Sequence, residues 1–506
     1  MTKLKNKIDD LILLFAIFFG FIFRLYGLSK NYSFWVDEAS TARFGRAVLE
    51  AGIPKINGYL LDAYYVTHYL TGVSFHFFGQ NEFAARLPEV IFGTLLIYAI
   101  YFLGKNIFNS QVGTAAGLLT AFSYLQIAWS RQARGYVILE CFFVFYLAFF
   151  YLAQKHKSRV SYKFMAAIFL LLAIFTHTLG LTLIIISAVF LLLKNGLKKI
   201  NFKLIFFFVL LFSSILLFFP IGKSLYRYLI RECLPNLLTG RNFISYYHSL
   251  FWRNYPLLIL MSAICFILLW QKKEKNILIF FSSVFIVYLF TVVFLLFVPF
   301  EKYVLVLFPM FLLISSYALY ELTKSLFGEK RSKYLFYLLI FFILINGNKF
   351  TLKPKLFYSL NFDMREIPEI DYKKYYQLVA GRAKTVGFEK MAVVDIDEDA
   401  PAWYLGENKN FFNPRNDVSG KIKSNSVGAV FIHNLDEFEN VYRDYRYGFV
   451  FLIEHNFRFY PQGLVEFVRK NMYLEGKDSF ASFSPDWNYW PVELYSWGFS
   501  GSGLNK

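Results

Sequence analysis

Two adjacent carboxylates, Asp37 and Glu38, stand in the segment Phe34-Trp35-Val36-Asp37-Glu38-Ala39-Ser40, just after the first long apolar stretch. Carboxylates at a bilayer surface are costly to desolvate, so chemistry or cation binding is the natural reason to keep them there. One carboxylate can take a proton from an acceptor hydroxyl, and the pair is also a candidate site for a divalent metal cation. The pair opens an expected helix, whose dipole favours an acid at that end. Capping accounts for one carboxylate and leaves the other, beside Trp35, to be explained. Asp37 and Glu38 are therefore the catalytic candidates, and Asp62, Glu82 and Glu89 on the same expected side could assist them.

Cationic and aromatic residues form the complementary set. The run Trp129-Ser130-Arg131-Gln132-Ala133-Arg134-Gly135-Tyr136 carries two arginines three apart. On a helix that spacing puts both guanidinium forks on one face, suited to a phosphate or pyrophosphate. Membrane-interface anchoring by Trp129 and Tyr136 explains the same spacing equally well. His177, in Phe175-Thr176-His177-Thr178-Leu179-Gly180, and the group Glu301-Lys302-Tyr303 fall at further helix ends on the same side. There His177 is either a structural donor or a substrate contact, and Lys302 either meets a lipid phosphate or snorkels. The sequence contains no Walker loop, dinucleotide fingerprint, zinc spacing or nucleophile elbow, which removes support for nucleotide-driven transport and for hydrolysis.

The elements that must hold these residues are membrane helices. The 506 residues are 57% hydrophobic and 21% aromatic, with a mean hydropathy of +0.43, too apolar for a soluble chain of this length. Apolar stretches lie near residues 9–28, 88–104, 111–128, 136–153, 162–176, 178–193, 203–220, 256–270, 277–297, 303–320 and 333–346. That predicts a polytopic α-helical membrane protein with about 11 spans, the first of them retained rather than cleaved. Of the 53 Lys and Arg, about 20 lie from residue 347 onward, against about 21 acids, so the +18 excess sits in the membrane half and does not signal nucleic acid. The three cysteines, scattered over different segments, suggest neither disulfides nor a metal cluster.

Lysine-rich loops around residues 155–163, 194–203, 272–275 and 324–333 mark the cytoplasmic side. The N-terminus is then inside and the tail outside. Loops on the outer side use mostly arginine: Arg24, Arg43, Arg46, Arg86, Arg131, Arg134, Arg227, Arg231, Arg241 and Arg253. Snorkelling suits Arg24 and Arg253, whereas the group as a whole suggests a phosphate site, because the planar fork matches phosphate. Two interfacial helices are expected in the first outer loop, residues 29–87, from Ala39 to Ala51 and from Tyr64 to Phe78, each closed by a glycine. Residues 1–346 thus form the membrane domain. Residues 354–506 form a soluble extracytoplasmic α/β domain, with strand-like runs at Met391–Ile396, Val427–Ile432 and Phe449–Ile453.

In order and spacing these pieces resemble the GT-C membrane glycosyltransferases of the protein O-mannosyltransferase and aminoarabinose-transferase type. The resemblance rests on Asp37-Glu38, on the segment from His68 to Gly79, on Glu82-Phe83-Ala84-Ala85-Arg86-Leu87-Pro88, on the Ser130 to Tyr136 motif and on Thr176-His177-Thr178-Leu179-Gly180. It extends over roughly residues 10–190 and weakens beyond. It implies inverting transfer of a sugar from a polyprenyl-phosphate donor to a glycan, lipid or protein acceptor on the outer face, with Asp37 as the catalytic carboxylate and Glu38 its companion. Asp62, His68, Arg86, Arg131, Arg134, Tyr136, His177, Lys302 and Tyr303 are the corresponding substrate-binding candidates. Two positions depart from the pattern. Tyr64-Tyr65 stands where relatives often carry a Pro pair, and Ala63 where aminoarabinose transferases place a phosphate-binding lysine. Phosphate binding then falls to Arg131, Arg134 or Lys302. The competing classes are a lipid-linked saccharide transporter, which should show paired halves, a scaffold for envelope assembly and an enzyme of the O-antigen ligase type. None of these requires the acidic pair.

Overall fold

The computed structural model describes residues 2–30, 33–34, 36–61, 64–196, 222, 226, 230, 233–296, 298–347, 349–356, 358, 372–407, 410–418, 420–424, 427–478 and 492–499. The chain divides into two compact units that do not follow its linear order. The first is Met1–Leu28, Leu61–Thr67 and Arg86–Tyr358; the second is Ser29–Leu60, His68–Ala85 and Ser359–Lys506.

Along the chain come α1 (Thr2–Leu25), α2 (Val36–Ala51), α3 (Tyr65–Phe78), α4 (Glu82–Ile107), α5 (Ser110–Phe122), α6 (Tyr124–Trp129), α7 (Tyr136–Lys155), α8 (Val160–Thr176) and α9 (Thr182–Asn195). Then follow α10 (Leu234–Leu238), α11 (Ile244–Asn254), α12 (Pro256–Gln271), α13 (Lys275–Phe290), α14 (Glu301–Leu305) and α15 (Phe308–Asn346).

The first unit is a helical bundle in which α7 packs on α8, α5 on α1 and α15, α12 on α15, and α9 on α13. Among the described residues five helices are long and apolar enough to cross a membrane, six if α11 and α12, which meet at 103°, count as one span. Such helices form because the apolar phase leaves each backbone polar group no partner except its own helix. The close crossing of α4 and α5 depends on glycine. A Cβ on Gly104 would lie 2.8 Å from the Gly113 Cα, and one on Gly113 only 2.6 Å from the Tyr101 carbonyl.

Three expected spans are divided or joined differently from the apolar runs. The stretch 111–128 is broken at Ser123, an extended residue that ends α5 and whose side chain caps α6 by accepting from the Gln126 N–H. The stretches 303–320 and 333–346 fall in the single long α15, interrupted at Gly328 in a left-handed conformation. The expected span at 203–220 lies outside the described residues.

In the second unit the tail folds on a six-stranded sheet of order β5-β4-β3-β6-β8-β7. Its strands are β3 (Met391–Val394), β4 (Phe411–Pro414), β5 (Val430–Ile432), β6 (Tyr447–Ile453), β7 (Tyr473–Asp478) and β8 (Val492–Trp497); β1 (Lys55–Ile56) and β2 (Tyr59–Leu60) form a short antiparallel ribbon in the first loop. The β5, β4, β3 and β6 strands are parallel, while β8 and β7 are antiparallel additions. Strands β3 and β6 are buried almost throughout, as fits parallel strands covered on both faces. The covering helices are α16 (Tyr372–Val386), α17 (Asp399–Leu405), α18 (Leu435–Asp444) and α19 (Leu464–Asn471). From the first loop, α2 packs against α17.

Candidate active site

In the first unit, residues from three parts of the chain come together at Tyr136. The His177 ring lies 5.2 Å away and the Tyr303 ring 6.4 Å away. The Lys302 ammonium stands 5.7 Å from the Tyr136 ring centroid and the Arg134 guanidinium 5.8 Å, the latter also 5.3 Å from Trp129. These are cation–π distances, and an aromatic face attracts a cation without neutralising it. Lys302 is buried in the five-residue α14. Its segment is pinned by the Tyr288 hydroxyl, which donates to the Tyr303 carbonyl (2.8 Å), and by the Tyr247 hydroxyl, which donates to the Phe300 carbonyl (3.2 Å). The Trp129 indole Nε1 is buried and has no hydrogen-bond partner among the described residues.

His177 sits between α8 and α9, where its Nδ1 accepts the Leu179 backbone N–H at 3.0 Å. The neutral ring then carries its proton on Nε2, which faces the Tyr64 hydroxyl at 3.4 Å. Burial, and next the charge of Lys302, push this imidazole down to about 3. His177 is therefore a neutral donor at physiological pH. Tyr64 itself is held at a positive φ of 60°, an unusual conformation for a bulky residue, at the entry to α3.

Arg131 behaves differently from Arg134. The segment 130–135 is a succession of turns rather than a helix, so the three-residue spacing does not align the two guanidinium groups. Arg131 donates to the carbonyls of Arg24 (3.0 Å), Tyr26 (2.6 Å) and Leu356 (2.8 Å). It thus satisfies carbonyls that α1 leaves unpaired at its end. Nor does Arg24 snorkel. It is fully buried and donates to Ser130 Oγ (3.1 Å) and to the carbonyls of Gly20 (2.9 Å), Ala121 (3.0 Å) and Thr120 (3.1 Å). A guanidinium fork matches converging carbonyls as well as it matches phosphate, so arginine content in the loops expected outside does not by itself mark a phosphate site. Arg86 is fully buried in α4. Glu89 accepts the Gly135 N–H at 2.5 Å and so shapes the turn before α7.

In the second unit, α2 begins at Val36 and carries both Asp37 and Glu38 in its first turn. Successive helical residues diverge by about 100°, and the two carboxylates separate accordingly. Asp37 is exposed, whereas Glu38 is 3% exposed. Two such side chains do not form a ready chelate. Among the described residues no group of three or more His, Cys, Asp or Glu side chains is arranged as a metal site. Arg43, one helical face further along, forms ion pairs with Asp399 and with Glu407 (3.0 Å). Arg46 lies 4.4 Å over the Trp403 ring.

His68 belongs to the packing of this unit. It is buried against Phe44, 5.5 Å between rings, with a ring N–H donating to the Thr41 backbone, and burial lowers its imidazole to about 4. Glu82 accepts from the Tyr404 hydroxyl (2.5 Å) and from Lys373 (3.2 Å), which makes it a structural anchor rather than an assisting acid. Asp62, and Arg227 and Arg231, lie outside the described residues. Of the sequence candidates, then, the fold gathers Arg134, Tyr136, His177, Lys302 and Tyr303 in one unit and sets Asp37 and Glu38 on α2 in the other. Asp399, Glu407 and Trp403 were not anticipated. The only sign of them was the acidic run Asp395-Ile396-Asp397-Glu398-Asp399 in an otherwise balanced tail.

A membrane-embedded helical bundle with an added α/β domain is the architecture of the GT-C membrane glycosyltransferases. Known structures show this fold directly. ArnT from Cupriavidus metallidurans in the apo state matches with a TM-score of 0.57 and 12% identity, over 97% of this chain and 98% of that one. The same protein bound to undecaprenyl phosphate matches at 0.56 and 12%, over 98% and 99%. The Archaeoglobus fulgidus oligosaccharyltransferase in the apo form matches at 0.56 and 11%, over 89% and 70%. The chain thus has the GT-C fold. In sequence, residues 64–222 match the dolichyl-phosphate-mannose-protein mannosyltransferase family, in accord with the resemblance read from the motifs. No curated protein matches the sequence.

Proposed function

We propose that this chain transfers a sugar from a polyprenyl-phosphate donor to an acceptor on the outer face of the membrane, with inversion at the anomeric carbon. The observation that carries this is the convergence of Arg134 and Lys302 on Tyr136 and His177 in the helical unit. A polyprenyl phosphate keeps its tail in lipid and needs cations for its headgroup; Arg134 supplies a fork, Lys302 a point charge and the Trp129 indole a donor. The match to ArnT bound to undecaprenyl phosphate and to the mannosyltransferase family supports this choice of donor. Asp37, exposed on the first turn of α2, is the general base. The acceptor oxygen attacks the anomeric carbon, Asp37 takes its proton, and the bond to the phosphate oxygen breaks on the opposite face. The cations neutralise the charge that builds on the departing phosphate.

The lysine-rich loops support an N-terminus inside and a tail outside. A reporter fused after Lys506 should then be active outside the cytoplasm. The deciding experiment measures sugar transfer by purified protein in nanodiscs from a polyprenyl-phosphate sugar, beside a melting curve. Asp37 is exposed and inside the first turn of α2, where Asn forgoes only the interaction of a charge with the helix dipole, so Asp37→Asn should change melting little while transfer falls at least ~10²-fold. Turnover near the wild-type rate in this variant would overturn the assignment of the base.

A further inference from the structure

The tail reaches the helix that carries the proposed base at one well-defined place. From β3 the chain runs to β4 and β5 on one side, and β6 then pairs with the other side of β3. The carboxyl ends of β3 and β6 therefore flank a topological switch point, where open α/β sheets ordinarily take a ligand. The acidic run that leaves β3 there is organised by its own backbone. Asp395 accepts from the Tyr376 hydroxyl (2.9 Å) and from the Asp397 N–H (2.9 Å), and Asp397 accepts from the Asp399 N–H (3.1 Å). Asp399, so oriented, meets Arg43 of α2 in an ion pair in which the Arg43 side chain is wholly buried. It also accepts a hydrogen bond from Ser40, and the charge of Asp37 acts on it, raising its proton affinity. The groups acting on Asp399 are thus Arg43, Ser40 and Asp37 on α2, while Asp399 itself raises Asp397 and Glu398 on its own approach. Glu407, just beyond α17, takes the second edge of Arg43 at 3.0 Å.

Resting on the reading of Asp37 as the base, we propose that Asp399 is a positioning residue for that carboxylate. It locks the first two turns of α2 through Arg43 and Ser40 and sets the electrostatic surroundings in which Asp37 accepts a proton. The C-terminal domain then bears on the base through α2. An anion near a carboxylate holds that carboxylate's affinity for protons up. Removing the anion should lower it, which moves the acid limb of the rate profile to lower pH and weakens the base.

The test compares Asp399→Asn with Ser40→Ala, a milder change that keeps the ion pair, using the full-length protein in nanodiscs. In Asp399→Asn, kcat at neutral pH should fall ~10-fold, with the donor KM changed less than ~2-fold and the acid limb shifted down by about half a pH unit or more. Amide exchange over residues 36–43 should rise. Ser40→Ala should shift exchange in the same direction by less. Unchanged exchange over 36–43 in both variants, or a lowered melting temperature with the wild-type pH limb and kcat, would overturn the proposal even if Asp37→Asn is inactive. Full activity in Asp37→Asn would instead remove the base, and this inference with it, whatever Asp399→Asn does.

Discussion

The two units treat their buried cations in different ways. In the helical unit Arg134 and Lys302 stand against aromatic faces at 4.5–5.8 Å, contacts in which the ring quadrupole attracts the cation. In the unit built from the first loop and the tail, Arg43 is set between two carboxylates and its charge is spent on architecture. Arg131 is a third case within the helical unit, with its guanidinium distributed over backbone carbonyls. Position in a loop expected outside the membrane therefore does not make an arginine a substrate ligand. What surrounds the guanidinium decides its role.

The contrast within the helical unit can be broken most decisively at the Tyr136 cluster. Replacing Arg134 and Lys302 together with Ala should weaken donor-lipid binding by ~10²-fold, since a charge-assisted hydrogen bond contributes roughly 1.5–3 kcal/mol. Arg134→Lys should recover only part of this because the fork is lost. Equilibrium binding of a fluorescent polyprenyl phosphate reads the effect, and undiminished affinity in the double variant would return the cluster to a packing role. Arg131→Ala should do the opposite, leaving donor affinity within ~2-fold while stability drops by about 1–3 kcal/mol for each orphaned buried group. Thermal unfolding and binding measured on the same sample separate the two arginines.

A smaller effect sharpens the account of the loop–tail unit. The His68 imidazole is lowered from an ordinary 6.5 to about 4 by burial. As pH falls from 6.5 toward 4, the unfolded chain takes up a proton that the folded one refuses, so stability falls through that window and is fully present above it. The loss amounts to at most about 3 kcal/mol. His68→Phe should flatten this part of the stability-versus-pH curve and leave the rate profile above pH 6.5 unchanged. A lost alkaline or neutral rate limb would show that His68 takes part in chemistry after all.

Much of the architecture was legible because the bilayer imposes long apolar helices whose signal is local. Helices α2 and α3 were readable from Gly52 and Gly79, which end them in left-handed conformations. In the tail, β3, β5 and β6 showed as short apolar runs, whereas β4 (Phe411–Pro414), which ends in proline, and β8 (Val492–Trp497), with Glu493 buried among its residues, carry too little pattern to stand out. The cluster around Tyr136 was foreshadowed residue by residue. The pairing of Arg131 with Arg134 failed because Gly135, at φ 75°, belongs to a chain of turns and not to a helix. The partners of Arg43 could not be read at all. They lie 356 and 364 residues away, and no spacing rule reaches across that distance.

That separation has a consequence for how the protein is made. Helix α2 is synthesised directly after the first span, yet the side chains that hold its inner face are in the last third of the chain. Loops of that size close late, because their entropy is lost before any contact repays it. Until the sheet strand β3 and the turn after it have formed, Arg43 lies in the unit with its carboxylates missing, and a half-made chain carries the acidic pair on an unlocked helix. With Asp37 as the base and Asp399 as its positioning residue, the proposed chemistry would then wait until residues 395–407 have been made and folded, so the order of synthesis would itself delay it.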